Sequence, residues 1–134
     1  MPTENRLALA QVRLNNAREC LADAETTLSI GAYKNAANRS YYAIFHAIRA
    51  VLAIDAFDSR RHSGIIAEFR HKYIKPGVFP SEYSDIIGDA FKIRNNSDYD
   101  DFYIVPKEDV VRQVDNAKTF IAAVEGYIKT LKKD

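Results

Sequence analysis

The sequence is poor in residues that interrupt or cross-link a chain. Its 134 residues include only 5 glycines, 4 prolines and a single cysteine, Cys20. Few glycines and prolines predict few turns and long secondary-structure elements. One cysteine cannot form a disulfide bond within the chain, which excludes a disulfide-stabilised module and favours a reducing compartment.

Long uncharged apolar runs and an excess of one charge are also missing. No stretch reaches membrane-spanning length without a charged residue, and the first residues lack the apolar core of a signal peptide. These absences predict a cytoplasmic protein with no membrane contact. Because the formal net charge is only +1, any argument for nucleic-acid binding must come from local charge.

The residues that are present predict an all-α fold. Hydrophobic residues make up 47% of the chain and charged residues 28%, and the length suits a single domain of residues 1–134. A first helix of about 25 residues is indicated by a repeat of leucines every seven residues, with alanines between them. The repeat consists of Leu7, Leu14, Leu21 and Leu28, with Ala10, Ala17 and Ala24. Gly31 is expected to end this helix.

A second helix is predicted from about Ala32 to Ala53, and it is almost entirely apolar or small. One of its faces is made of alanines, which would let another helix approach closely. Such a helix belongs at the centre of a bundle. A loop over residues 55–64 then leads to a short third helix.

The fourth helix is predicted from Ser81, as its N-cap, to about Asn95. Residues 95–105 form a polar, acidic linker, and Pro106 starts the fifth helix. These elements predict an up-and-down four-helix bundle with an extra short helix.

One face of the predicted second helix is polar. Its members recur at spacings of three and four residues and therefore share one side of the helix. This polar stripe consists of Asn35, Arg39, Tyr42, His46 and Arg49. A solvated outer face is one interpretation. However, the stripe has no lysine or glutamate, and its residue types are ones that contact phosphates and bases.

Arg94 is a charged residue in an apolar context. It lies on the same face of the fourth helix as Ile87 and Ala90, where an unpaired guanidinium would be costly to bury. It could form an ion pair with Asp98, four residues later, or it could bind a phosphodiester in a groove. The sequence leaves both interpretations open.

These two segments together resemble the signature of the HEPN domain, a small all-helical module. They read NRSYYAIFHAIRAVL from residue 38 and IRNNSDY from residue 93. The resemblance implies a HEPN-like homodimer that binds RNA or nucleotide-bearing ligands and is paired with a minimal nucleotidyltransferase, as in toxin–antitoxin systems. In ribonuclease members the site is metal-independent, so no cofactor or metal ion is implied. The histidines and Cys20 also lack a metal-site spacing.

The sequence departs from the family pattern where the ribonuclease members carry a histidine. Arg94 and Asn95 match the arginine and the polar residue after it, but the histidine position falls on Tyr99, and no histidine follows His71. A tyrosine, with a reference pKa of about 10, is a poor base near neutral pH. Ribonuclease activity would therefore need proton transfer by Tyr99 or by His46, and the sequence leaves that activity undecided.

The resemblance and the polar stripe together define the candidate site. Arg94 and Arg39 would bind phosphate, and Asn95 and Asp98 would orient it. Further binding residues come from the second helix and the loop after it. They are Tyr42, Arg49, Arg60 and Arg61.

Tyr99 and Tyr103 are candidates for modification, because nucleotidyltransferase-paired members are silenced by adenylylation of a nearby tyrosine.

Residues 60–75 carry five basic residues against one glutamate, and residues 82–101 carry six acidic residues against two basic ones. Such segments could be solvated loops, a phosphate-binding edge, or a charge-complementary docking surface. The alternative function is a non-catalytic, dimeric protein–protein interaction module, in which the motif residues hold a helix end and a dimer seam.

Overall fold

Helices account for most of the computed structural model, which describes residues 2–132. The α-helices are α1 (Glu4–Ser29), α2 (Tyr33–Ile54), α3 (His62–Phe69), α4 (Glu82–Tyr99) and α5 (Lys107–Lys132). A π-helical turn, Arg70–Ile74, continues α3. No strand occurs within residues 2–132, so the predicted all-α bundle with a short extra helix is confirmed. The predicted domain of residues 1–134 also includes Met1 and residues 133–134, which lie outside the described range.

Helix α2 lies at the centre of the bundle and contacts each of the other α-helices. Its predicted small-residue face is fully buried, since Ala36, Ala43, Ala47 and Ala50 are all 0% exposed. Ala10, Ala17 and Ala24 of α1 are equally buried, and α1 makes the most extensive contact with α2. Small side chains on both helices allow this close packing.

The buried residues form a large cluster over most of the bundle and a smaller one at the α1–α2 turn. One polar pair lies inside the packing between α2 and α5. Gln113 Nε2 donates hydrogen bonds to the Ser40 hydroxyl at 2.7 Å and to the Ala37 carbonyl oxygen at 2.9 Å. This pair fixes α5 against α2. The apolar pattern of α5 did not predict the pair, because Gln113 is polar, although it is only 4% exposed.

The structure corrects two predicted helix ends. Helix α3 begins at His62, within the segment predicted as a loop. Helix α4 continues past Asn95 to Tyr99, because Arg94 and Asp98 form an ion pair one turn apart that supports the last turn. Ser81 occupies the N-cap position of α4 as predicted, but its backbone is helical and its side chain makes no capping hydrogen bond. Gly31, with φ +78°, ends α1 as expected.

Candidate functional site

Arg94 joins the last turn of α4 to the polar stripe of α2. Its side chain is 17% exposed, and its Nη2 donates to the Tyr42 hydroxyl at 3.3 Å. Its Nε lies 2.9 Å from Asp98 Oδ2, but the N–H is not aligned for a hydrogen bond. Burial alone would lower the pKa of Arg94, whereas the neighbouring Tyr42, Tyr41 and Asp98 raise it overall. Arg94 therefore pairs with Asp98 within α4 and at the same time points toward α2.

Aromatic rings from α2 and α4 form a wall around this guanidinium. The Arg94 Cζ lies 5.3 Å from the centre of the Tyr41 ring and 5.9 Å from that of Tyr99. Tyr41 is 2% exposed, and burial raises its pKa to about 12. Its ring also packs edge-on against Phe91 of α4. Contact with aromatic faces stabilises a guanidinium and holds it in one orientation.

His62 is a member of this site that sequence reasoning missed. Its ring stacks on Phe45 with centroids 4.0 Å apart, and its Nδ1 lies 2.9 Å from the Tyr41 hydroxyl. Burial lowers the pKa of His62, and the positive charges of Arg94 and Arg49 lower it further. The loop prediction for residues 55–64 hid this residue. The available signal was its position three residues before Ile65, the first of an apolar pair with Ile66 that marks the buried face of α3.

The polar stripe itself is half-buried over most of its length. The Arg39 Cζ lies 5.3 Å from the centre of the Tyr42 ring, and its Nη2 donates to Asn38 Oδ1 at 2.6 Å. His46 Nδ1 is buried and has no hydrogen-bond partner. Burial lowers the pKa of His46, and Arg49 and Arg39 lower it further. The stripe is therefore a cationic surface in which histidine is held neutral.

Helix α1 contributes Arg13, another residue that the sequence did not reveal. Its side chain is 12% exposed, and Nη1 donates to the Arg49 carbonyl oxygen at 3.2 Å. Burial lowers the pKa of Arg13, and repulsion by Arg49 lowers it further. Arg13 resembled an ordinary polar position of α1, because only the packing of α1 against α2 brings it to the stripe.

One carboxylate, that of Asp58, lies between these two arginines. Its Oδ2 is 3.2 Å from Arg49 Nη2 and 3.5 Å from Arg13 Nη2. The backbone N–H of Ser59 is the main cause of the lowered pKa of Asp58, and the arginines lower it further. The site thus contains four guanidinium groups, from Arg13, Arg39, Arg49 and Arg94, and the carboxylates of Asp58 and Asp98 pair with three of them.

The other predicted residues lie at the edge of the site or outside it. Asn95, Arg60 and Arg61 are exposed, as is Asn35 at the far end of the stripe. Tyr99 is 73% exposed, so its hydroxyl is accessible.

Tyr103 is half-buried and packs against the smaller apolar cluster.

A surface cavity of about 320 Å³ lies beside Arg39, between the ends of α1 and α2. Within residues 2–132, no group of three or more His, Cys, Asp or Glu side chains could hold a metal ion. Over the same residues, no helix is long and apolar enough to cross a membrane.

An all-α bundle with a cationic, aromatic-walled site at the meeting of α2 and α4 defines the class of the protein. The chain belongs to the HEPN domain family, whose model matches residues 10–127. This match confirms the resemblance seen in the sequence.

Individual relatives cover most of the chain. A protein of Thermotoga maritima named "UPF0332 protein" is 32% identical over 117 residues, which are 87% of this chain and 89% of the relative. A protein of Methanocaldococcus jannaschii named "Putative toxin MJ0142" is 24% identical over 86% of this chain and 78% of its own. A second protein of that organism, "Putative toxin MJ0605", is 30% identical over 66% of each chain.

Proposed function

We propose that this protein is a toxin-like HEPN protein that binds RNA, or a nucleotide-bearing ligand, through the polar stripe and Arg94. Two relatives whose names describe toxins support the toxin-like part of this proposal. One observation carries the binding part. Four arginine side chains gather around a half-buried surface, and two carboxylates, those of Asp58 and Asp98, pair with three of them, in a chain whose net charge is +1.

Such a cluster costs free energy until an anion binds. Arg13 and Arg49 repel each other, and His46 Nδ1 is buried without a partner. A phosphate would reduce the repulsion, and guanidinium groups bind phosphate by paired hydrogen bonds. The exposed ring of Tyr99 beside Arg94 offers a surface on which a base could stack. Single-stranded RNA supplies both the phosphates and the unstacked bases.

The test is binding of a fluorescent single-stranded RNA, measured by anisotropy over a series of salt concentrations. We expect affinity to fall steeply with salt, and Arg94→Ala to weaken binding about 10- to 100-fold, since hydrogen bonds to charged groups contribute roughly 1.5–3 kcal/mol. The matched control is Arg112→Ala. Arg112 also pairs with an aspartate of its own helix, at 3.2 Å from Asp109, but its side chain is 56% exposed on α5.

The alternative function, a non-catalytic interaction module, is favoured by a different observation. Arg94 already contacts Asp98 and Tyr42 within the chain, so its role could be to fasten α4 to α2. In that case Arg94→Ala would lower the free energy of unfolding. The wild-type protein would bind no RNA, even at low salt. That result would replace the RNA-binding proposal with the interaction module.

Ribonuclease activity is a separate part of the proposal, because binding does not require cleavage. Labelled RNA is incubated with the wild-type protein and with Tyr99→His, which restores the histidine of the ribonuclease pattern. Products that appear with either protein, and disappear when Arg94→Ala is added to it, support a metal-independent ribonuclease. If neither protein cleaves, the ribonuclease part is rejected and the binding part remains.

We further propose a homodimer, supported by an exposed apolar segment after α4. Phe102 is 94% exposed and Ile104 is 86% exposed, beside Tyr99. Light scattering during size-exclusion chromatography should give the mass of a dimer. The double variant Phe102→Ser, Ile104→Ser should shift it towards the monomer. Ile30→Ser, at an apolar position 74% exposed at the end of α1, should not.

The partner proposed for the toxin-like protein is a minimal nucleotidyltransferase. If the pair exists, Tyr99 is the better acceptor for adenylylation, because its side chain is exposed whereas Tyr103 is half-buried. Co-expression with such an enzyme encoded beside this chain, followed by mass spectrometry, should find AMP on Tyr99. Tyr99→Phe should remove that mass increase.

A further inference from the structure

His62 has no role in the proposed function, although it lies at the centre of the site. It is the first residue of α3, and its ring stacks on Phe45 of α2. Its Nδ1 is held by the Tyr41 hydroxyl at 2.9 Å, and its ring centre lies 5.9 Å from that of Tyr42. These contacts hold the imidazole in one orientation beside the Arg94 guanidinium, which contacts the same two tyrosines.

The groups that face His62 come from each element packed around it. Helix α2 contributes the hydroxyls of Tyr41 and Tyr42, the imidazole of His46 and the charge of Arg49. Helix α4 contributes the charge of Arg94.

Asp58, in the loop before α3, lies against Arg49 and Arg13. Positive charge therefore predominates around His62. A positive charge on this ring is therefore unfavourable in the free protein.

We propose that His62 is a phosphate-binding residue of the Arg94 site, and that it takes up a proton when a phosphodiester of RNA binds. This inference rests on the proposed function, since it concerns the same site. A bound phosphate brings a negative charge between Arg94, Arg49 and the imidazole. That charge offsets the repulsion which keeps the free imidazole neutral, so the imidazolium becomes the favoured form in the complex.

The hydrogen bonds of His62 can accommodate this change. In the imidazolium both ring nitrogens donate. Nδ1–H would donate to the Tyr41 hydroxyl, 2.9 Å away, and Nε2–H would be free to donate to a phosphate oxygen. Burial raises the pKa of Tyr41 to about 12, so its hydroxyl remains a neutral phenol that can accept this hydrogen bond at any pH used for binding.

The sign of the pH dependence follows from linkage. Because the complex binds more protons than the free protein, affinity increases as pH falls. Burial and the two arginines place the pKa of free His62 below its ordinary value, and bound phosphate raises it. The dependence is therefore confined to the pH interval between those two pKa values. Within it, affinity changes by up to about tenfold per pH unit for one proton.

The experiment measures binding of a 2′-O-methyl oligonucleotide, which cannot be cleaved through its 2′-oxygen. Its phosphodiesters stay ionised across the range used, about pH 5.5 to 8.5, so the protein supplies the titrating group. The proteins compared are the wild type, His62→Gln and His71→Gln. Glutamine can keep a hydrogen bond to Tyr41 but cannot take up a proton. His71 is exposed on the π-helical turn and serves as the matched control.

We expect wild-type and His71→Gln affinities to increase roughly three- to tenfold per pH unit on acidification within the interval, and His62→Gln to show a clearly weaker dependence. Equal pH dependence in wild type and His62→Gln, with binding intact, would overturn the role of His62 and leave RNA binding in place. Absence of binding by the wild type at every pH and at low salt would overturn both. The two failures are therefore distinguishable.

A measurement on the wild-type protein covers the case in which His62→Gln folds poorly. Nuclear magnetic resonance follows the His62 ring signals during pH titration, with and without the oligonucleotide. The expected result is a higher pKa for His62 in the complex than in the free protein. An unchanged pKa for His62 at saturating oligonucleotide contradicts the proposal.

Discussion

The two sides of α2 differ in how completely their polar groups are satisfied. On the side facing α1 and α5, the alanines are 0% exposed, and the buried Ser40 and Gln113 are joined by a 2.7 Å hydrogen bond. On the side of the polar stripe, His46 Nδ1 is buried without a partner, and arginines repel one another. The first side stabilises the bundle, whereas the second side retains unsatisfied cationic groups that a ligand could satisfy.

This comparison separates stability from binding within one helix. Substitutions on the packed side should lower the free energy of unfolding and leave binding by the folded molecules unchanged. Substitutions on the stripe should weaken binding and change the free energy of unfolding only a little. Three predictions test the comparison at sites of decreasing expected effect on stability.

The largest effect is expected for Leu14→Ala, on the packed side. Leu14 is 1% exposed in α1, and shortening such a side chain leaves a cavity that costs about 2–5 kcal/mol. Urea denaturation followed by circular dichroism measures the loss. RNA affinity per folded molecule should stay within about twofold of wild type, because Leu14 lies outside the polar stripe. A loss of affinity as large as that of Arg94→Ala would show that the two sides are not independent.

Tyr41 lies where the two sides meet, and its effect should appear at alkaline pH. Burial raises its pKa to about 12 in the folded protein, above the unfolded value of about 10. The stabilisation is therefore complete below pH 10 and is lost as pH rises from about 10 towards 12, by at most about 2–3 kcal/mol. Burial also raises the pKa of Tyr73, so part of the wild-type alkaline loss comes from that residue.

The measurement for Tyr41 is urea denaturation at several pH values between about 7 and 11. Tyr41→Phe should be less stable than wild type at pH 7 by about 1 kcal/mol, since it loses the hydrogen bond to His62. It should then lose less stability than wild type as the pH is raised. Parallel curves for the two proteins would argue against a buried, neutral Tyr41 hydroxyl.

The smallest change in stability, and one of opposite sign, is expected on the stripe. His46→Leu removes an imidazole nitrogen that is buried without a partner, so we expect a gain of roughly 0.5–1 kcal/mol. RNA binding should weaken in the same variant, because an apolar side chain replaces a polar group at the site. Denaturation and anisotropy on one protein sample provide both values. A variant that is less stable and binds equally well would place His46 in the core rather than in the site.

The sequence was sufficient where a pattern is confined to one helix. The repeats of leucine and alanine predicted α1, and the three-and-four spacing predicted which residues share the polar stripe. Arg94 was recognised as inward-facing from its helical position alone. Each of these inferences depends on neighbours within about two turns, which helix geometry fixes.

The sequence was insufficient where packing between elements decides the outcome. Arg13 reaches the stripe only because α1 lies against α2, and His62 reaches Arg94 only because α3 begins three residues earlier than its loop-like sequence suggests. Gln113 is buried because Ser40 and Ala37, more than 70 residues earlier, supply its partners.

The central position of α2 limits how this protein can respond to what it binds. Since α2 contacts each of the other α-helices, it cannot shift without repacking the whole bundle. Adjustment on binding is therefore left to the two connecting segments beside the site, residues 55–61 and 100–106. One of them carries Arg60 and Arg61, and the other carries Phe102 and Ile104. Recognition would thus combine a fixed helical surface with two connecting segments that adjust around it.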